Sequence, residues 1–315
     1  MIFANSEIHE TPDVLPIQAG TNSAAPLSLK PSTSNSTLLA DKANNRQALT
    51  ERTRRIIIGS LLPLIAIILW ESVELSGIVS AALIPGPLAV LRAIEAWAGF
   101  GSSGGNLFFS GRLISDVFAT LLRVFVGFLL ASLLGVIVGT GIGMSRLVDE
   151  VVTPTIRILG PVPPITWIPV AIVVLGIGEV TNFFLTFLGA LFPIVAGTAI
   201  AVSGVDRNLL RVGRMMGRRG LTLVRSVVLP ASWPNIVGAL RMGLSISWLM
   251  AVTSEMLAVH SGLGYTLWNA YNYLDYSAVF AAMFMIGLCG LTTDVLLRSL
   301  TKKTLTWHVE TGVRS

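Results

Sequence analysis

The sequence predicts an all-α membrane protein with six transmembrane helices, and three observations predict it. Of the 315 residues, 53% are hydrophobic and 12% charged, with a mean hydropathy of +0.74. Soluble domains average roughly 25% charged residues, so there is too little charge here to cover a water-exposed surface. Long apolar runs recur, each near the ~20 residues that a spanning helix needs; a large soluble helical protein would show apolar stripes instead. Lysine and arginine gather in alternate connections between the runs, as they do in multi-pass proteins.

The same numbers exclude other classes. The net charge of +5 comes without an aromatic-interleaved basic patch, which argues against nucleic acid as a partner. A single cysteine, Cys289, rules out an internal disulfide framework or a cysteine metal site. His9, His260 and His308 are scattered and show no metal-ligand spacing. No cofactor or metal is expected on this chain.

Residues 1–54 read as a polar, disordered cytoplasmic tail rich in Ser, Thr, Asn and Pro. They are no signal peptide, because the first apolar run begins only near Ile56. Residues 55–303 form the expected membrane domain. Its spans are 56–75, with Pro63 as a kink, then 118–144, 151–177, 180–202, 235–259 and 277–300. The second span contains GVIVGTGIG, whose small residues let helices approach closely in lipid. The third is broken by prolines. Ahead of the second span, 84–99 is too short to cross. Leu88, Leu91, Ile94 and Trp97 recur every three residues, and we read an amphipathic helix at the membrane surface. Residues 304–315 are a cytoplasmic C-terminal tail.

Orientation follows from the cations. With the N-terminus inside, the inner segments hold Lys30, Lys42, Arg46, Arg52, Arg54 and Arg55, then Arg146, then the run from Arg207 to Arg225, then Arg298, Lys302, Lys303 and Arg314. The outer segments hold only Arg92 and Arg112. Both termini are therefore expected in the cytoplasm.

The loop 204–233 is the longest inner connection. Within DRNLLRVGRMMGRR, Leu209, Leu210, Val212, Met215 and Met216 cluster on one side of a helix, with arginines on the other. Asp206 or Asn208 is a suitable N-cap, Gly217 and Gly220 would end the helix, and Pro230 is a natural stop before the next span. Physics alone leaves two readings open: a helix that docks a partner, or a basic loop lying on anionic lipid.

This stretch resembles the cytoplasmic coupling motif of ABC-importer permeases. In that motif an acidic-Ala-Ala triplet is followed by three residues, a Gly, nine residues and I-x-L-P. Here Gly217 is followed, nine residues on, by Val227, Val228, Leu229 and Pro230. The triplet position holds Arg211, Val212 and Gly213, so its acid is absent. PVPPITWIPVAIVVLGIGE (161–179), GALRMGLSISWLMAVTSEML (238–257), IPGPLAVLRAI and LTWH (305–308) resemble the nitrate/sulfonate/taurine/bicarbonate branch of that family, over roughly residues 55–310.

The resemblance implies a type I ABC-importer permease with a cytoplasmic coupling helix, acting as a homodimer. Two ABC ATPase subunits carrying ATP and Mg would dock on the coupling helices through Leu210, Arg211, Arg214, Met215, Met216, Gly217, Leu229 and Pro230. A periplasmic or lipid-anchored binding protein would deliver the solute, a small anion or zwitterion. An aliphatic sulfonate or taurine is the first choice, with nitrate or bicarbonate next. The chain has no G-x-x-x-x-G-K-[ST] loop and is not expected to be an enzyme. Two other classes are a stand-alone secondary carrier, which usually keeps acids at mid-membrane, and a membrane-anchored interaction protein.

For the translocation path the candidates are Thr166 and Trp167 after the proline-rich break, and Arg241, Ser247, Trp248, Thr253, Ser254 and Glu255 on the fifth span. Arg241 and Glu255 lie ~21 Å apart along a helix and cannot pair with each other. Either each pairs with a neighbouring helix, Glu255 with a cation such as Arg123, or the two frame the path.

Overall fold

The structure, a computed structural model, describes Arg54 and residues 58–76, 83–100 and 110–302. The chain divides into two units, Met1–Leu64 and Ile65–Ser315. The tails expected over 1–54 (Arg54 excepted) and 304–315, and with them LTWH, lie outside the described residues. All regular structure among the described residues is helical. In order it comprises α1 (Ile58–Leu75), α2 (Pro87–Ala98), α3 (Leu113–Met144), α4 (Arg146–Leu159), a 3-10 turn (Pro164–Trp167), α5 (Ile168–Leu175) and α6 (Glu179–Ser203). Then follow α7 (Arg207–Met215), α8 (Gly220–Leu223), a π-helical turn (Val224–Val228), α9 (Leu229–Ala258), α10 (Leu263–Asn272) and α11 (Tyr276–Lys302).

The core is built on α3 against α6. Helices in lipid gain little from burying apolar surface, so their contact comes from close backbone approach. Along α3, Gly127, Ala131, Gly135, Gly139 and Gly143 repeat every four residues and form a groove. Thr186, Ile194, Thr198 and Val202 of α6 fill it at Gly127, Gly135, Gly139 and Gly143 in turn. A Cβ at Gly139 would lie 2.6 Å from both Thr198 Cβ and the Val195 carbonyl oxygen, so no larger residue fits without moving α6.

The two series ascend together, so α3 and α6 run parallel. Arg123 of α3 is bonded to Glu179 at the start of α6, while Gly143 meets Val202 near its end. From Arg123 to Gly143 a helix rises ~30 Å, the thickness of a hydrocarbon core. The chain between Met144 and Glu179 must travel back over that distance, and only α4, the 3-10 turn and α5 are there to do it. The two arms, Arg146–Leu159 and Pro164–Leu175, are bent by 86°. They are therefore one broken crossing and not a loop that enters and leaves by the same side. With α1, α3, α6, α9 and α11 this makes six crossings among the described residues.

Helix α9 runs antiparallel on α6: Gly197 faces Ala239, Gly189 faces Met250, and Asn182 Nδ2 donates to the Ala251 carbonyl at 3.3 Å. Helix α11 returns beside α9, where Trp248 Nε1 donates to Thr293 Oγ1 at 2.9 Å. Trp70 of α1 packs on Phe280 near the start of α11, ring centroids 5.7 Å apart. Short helices finish the two ends. One end carries α7, and the other carries α2 and α10.

Several local expectations change. The third span is not a single helix, because Pro161, Pro163, Pro164 and Pro169 each lack an N–H donor and the turn between the arms tightens to 3-10. In α2 the buried residues are Val90 and Trp97, and Leu88 and Leu91 are exposed. An α-helix turns every 3.6 residues, so a strict spacing of three walks off the buried face. Pro230 does not stop the chain: Gly220–Ala258 is one continuous helical segment. The π-helical turn just before Pro230 accommodates the missing N–H within that segment. Gly220 likewise starts a helix, with φ +54°, and does not end one.

Candidate functional site

Helix α7 is short and well delimited. Asp206 Oδ1 accepts the Asn208 N–H at 2.8 Å, which identifies Asp206 and not Asn208 as the cap. At the other end Gly217 takes φ +78°, its N–H bonds to Arg214 O at 3.0 Å, and the Arg218 N–H bonds to Gly213 O at 3.1 Å. This Schellman arrangement needs a left-handed residue, which is why glycine sits there.

The helix has three sectors. Leu210 and Gly213 face inward: Leu210 packs, as Leu229 does, against the core cluster that includes Val228, and a Cβ at Gly213 would meet Leu223 and Val227. Leu210 is thus half-buried in its own chain, contrary to the single apolar face expected, because it lies 100° round the helix from Leu209. Leu209, Val212, Met215 and Met216 form an exposed apolar sector, with Met215 84% exposed. Arg207, Arg211 and Arg214 make the third. Arg214 also lines a cleft of about 610 Å³ with Arg219, Met144 and Val224. Leu229 and Pro230 lie beneath, half-buried.

The path candidates separate onto two faces of α9. Ser247, Trp248, Ser254 and Glu255 are buried in the bundle. Ser254 Oγ donates to Ala251 O at 3.1 Å, whereas Ser247 Oγ has no partner. On the opposite side Met242, Ser245 and Leu249 are exposed, and Thr253, half-buried, lies in the same stripe. Trp167 packs beside Ile246 and Met250, so the broken crossing touches α9. Thr166 is exposed and donates to Pro163 O at 2.7 Å. Arg241 forms a bidentate pair with Asp294 of α11, both bonds 2.8 Å.

The densest polar assembly is at the α2/α10 end. Arg123, 2% exposed, uses all five of its N–H groups. Nε and Nη2 donate to the two oxygens of Glu179 at 2.7 and 2.5 Å. Nη1 donates to Glu255 Oε1 at 2.8 Å and to Ser261 O at 2.7 Å, and Nη2 also donates to Ser261 Oγ at 2.7 Å. Glu255, 0% exposed, is completed by Thr120 Oγ1 at 3.0 Å and by the Gly264 N–H at 2.8 Å. Buried Asp116 accepts from Trp97 Nε1, the Gly262 N–H and Thr266 Oγ1 at 3.2, 3.2 and 2.9 Å. The Leu263 N–H donates to Thr120 Oγ1 at 2.9 Å. The unpaired N–H groups at the start of α10 are thus capped by carboxylates and a hydroxyl from α3 and α9.

Pairing of Glu255 with Arg123 was legible in the sequence. The roles of Asp116, Thr120, Glu179 and Ser261 were not. The available signals were glycines: Gly176 and Gly178 before Glu179, and Gly262 and Gly264 after Glu255, all but Gly264 at positive φ.

Comparison with known proteins gives a consistent result. The family described as binding-protein-dependent transport system inner membrane component matches residues 131–306. A putative ABC transporter permease of Methanocaldococcus jannaschii is 34% identical over 258 residues, covering 81% of this chain and 94% of its own. A putative aliphatic sulfonates transport permease of Bacillus subtilis is 31% identical, covering 79% and 87%. A nitrate import permease of Synechococcus elongatus is 30% identical, covering 73% and 82%. Among solved structures, the methionine ABC transporter in inward-facing conformations contains a chain with a TM-score of 0.52. That chain is 21% identical, and the match covers 62% of this chain and 99% of that one, a likeness of fold alone.

Proposed function

Because this chain belongs to the family of binding-protein-dependent transport system inner membrane components, we propose that it works as a homodimeric permease through which an ABC importer moves a small anion or zwitterion. The observation that carries the reading is the exposed apolar sector of α7. Four large apolar side chains project from the end of a bundle, flanked by arginines, on a helix whose other face is packed against its own chain. Such a surface suits a protein partner, and we assign it to ATPase subunits that hold the ATP and Mg. The permease itself binds no cofactor and catalyses no reaction.

The α7 end then faces the cytoplasm, with both termini of the chain, in the plasma membrane. The α2/α10 end receives solute from a binding protein. A cysteine placed near Ser261, at the exposed His260, should react with a membrane-impermeant maleimide added outside, and one near Gly220, at the exposed Leu221, should not. The reverse pattern would refute the orientation.

The path is assigned to the exposed stripe of α9, with Ser245 and Thr253, and to Thr166 at the broken crossing; their hydroxyls donate to the backbone oxygens of Arg241, Leu249 and Pro163 and would turn from these to donate to a passing ion. A passing anion needs polar groups to replace its water. Hydroxyls supply them without the tight binding of a fixed charge, and Arg241 is already neutralised by Asp294. Relatives named for aliphatic sulfonates and for nitrate support an oxyanion. We place an aliphatic sulfonate or taurine first, then nitrate or bicarbonate. In proteoliposomes containing permease, ATPase and binding protein, labelled taurine should accumulate with ATP and be displaced by ethanesulfonate. Accumulation of nitrate that excess taurine leaves unaffected would overturn the sulfonate assignment.

A further inference from the structure

The cleft of about 610 Å³ beside α7 has a mixed lining. Arg214 of α7 and Arg219, just before α8, supply two guanidinium groups, and Met144, Leu221, Leu223 and Val224 supply apolar walls. No lining residue is acidic. Among the described residues neither arginine has a hydrogen-bond or ion-pair partner. The acids at this end are engaged elsewhere: Asp206 caps α7, and Glu150 pairs with Arg146 at 3.0 Å. The chain thus brings two cations to an apolar cleft and supplies no counter-charge. The volume lies within the ~300–1,000 Å³ of small-molecule sites.

Met144 is the last residue of α3 and follows Gly143, where the ~30 Å run from Arg123 ends. The cleft therefore opens where hydrocarbon gives way to headgroups. It is also set apart from the exposed apolar sector of α7. Arg214 is two residues from both Val212 and Met216, which places it ~160° round the helix from each. We infer that the cleft binds the phosphate headgroup of an anionic phospholipid, which ties the corner between α7 and α8 to the inner end of α3. Guanidinium groups match phosphate oxygens in geometry and charge, and basic pockets at the cytoplasmic ends of crossings suit such headgroups. A hydrated inorganic anion would gain nothing from four apolar side chains. A zwitterionic headgroup would bring its own cation against the arginines.

The test measures, by native mass spectrometry, the phosphatidylglycerol retained by the full-length permease in competition with phosphatidylcholine of the same chains. Arg214→Gln combined with Arg219→Gln should weaken retention about thirtyfold. Arg207→Gln combined with Arg211→Gln removes the same charge from the same loop outside the cleft and should change it little. Equal weakening by both pairs would mean that the loop attracts anionic lipid diffusely, and would overturn the site. Excess inorganic phosphate should not displace the lipid; displacement would make this a free-anion site and overturn the assignment. The lipid should stay bound when the ATPase is added, and its expulsion would mean that the ATPase fills the cleft. In phosphatidylcholine the Arg214/Arg219 variant should keep the Tm of the unsubstituted chain, and a lower Tm would mean that these arginines serve the fold instead. The readout needs neither solute nor ATP, so its failure is distinguishable from failure of the function proposed above.

Discussion

Replacing Arg123 by methionine should cost more stability than any other single change at the α2/α10 end. Methionine fills much of the volume but donates nothing. Glu255 would stay fully buried with only Thr120 and the Gly264 N–H for company, and the Ser261 carbonyl would lose its donor. Removing one partner of a buried ion pair costs about 3–5 kcal/mol, a large share of the 5–15 kcal/mol that typically separates folded from unfolded protein. The apparent Tm in detergent should fall by roughly 10 °C. The loss should be much smaller for Glu179→Gln, because Glu179 is 54% exposed and water can replace part of the pair. Adding Glu255→Leu to Arg123→Met should recover part of the stability by removing the orphaned carboxylate. An unchanged Tm in Arg123→Met would mean that the assembly does not hold this end together.

The second large effect is functional and leaves the fold alone. Met215→Asp changes a side chain that is 84% exposed, so insertion and Tm should match the unsubstituted protein. If the ATPase covers α7, the new carboxylate is buried without a partner at that interface, at a cost of several kcal/mol. Copurification of the ATPase and ATP-driven uptake should both be lost. Met216→Asp should behave the same way, and Leu210→Asp should instead destabilise the permease itself, since Leu210 packs inward. Normal uptake by Met215→Asp would assign α7 to the lipid surface.

Much of this was visible in the sequence because lipid imposes simple rules. Apolar length located the crossings, and the prolines from 161 to 169 located the broken one. Arginine density found α7, and spacing found its capping glycine. The sequence was weaker wherever position around a helix decides the outcome. Leu210 and Met215 are equally apolar, yet one packs against the cluster around Val228 and the other projects out. Ser247 and Thr253 lie close in sequence and face opposite ways. The Arg123 assembly was half legible. A buried cation and a buried anion invite pairing, but Asp116, Glu179 and the backbone of 262–264 come from segments whose meeting depends on the whole bundle.

The unbroken helix from Gly220 to Ala258 has a consequence for how this chain tolerates change in length. Each helical residue advances the chain ~1.5 Å and turns it ~100°. One residue inserted between Pro230 and Arg241 would swing Glu255 a quarter-turn away from Arg123, and would turn Arg241 from Asp294 by the same angle. No irregular stretch lies beyond Pro230 to absorb the error, whereas an insertion at Arg218 or Arg219, between α7 and α8, would be taken up by loop. The segment therefore behaves like a ruled scale: exposed residues along it, such as Met242 and Leu249, can be exchanged for others, but none can be added or removed without losing the phase between its two ends.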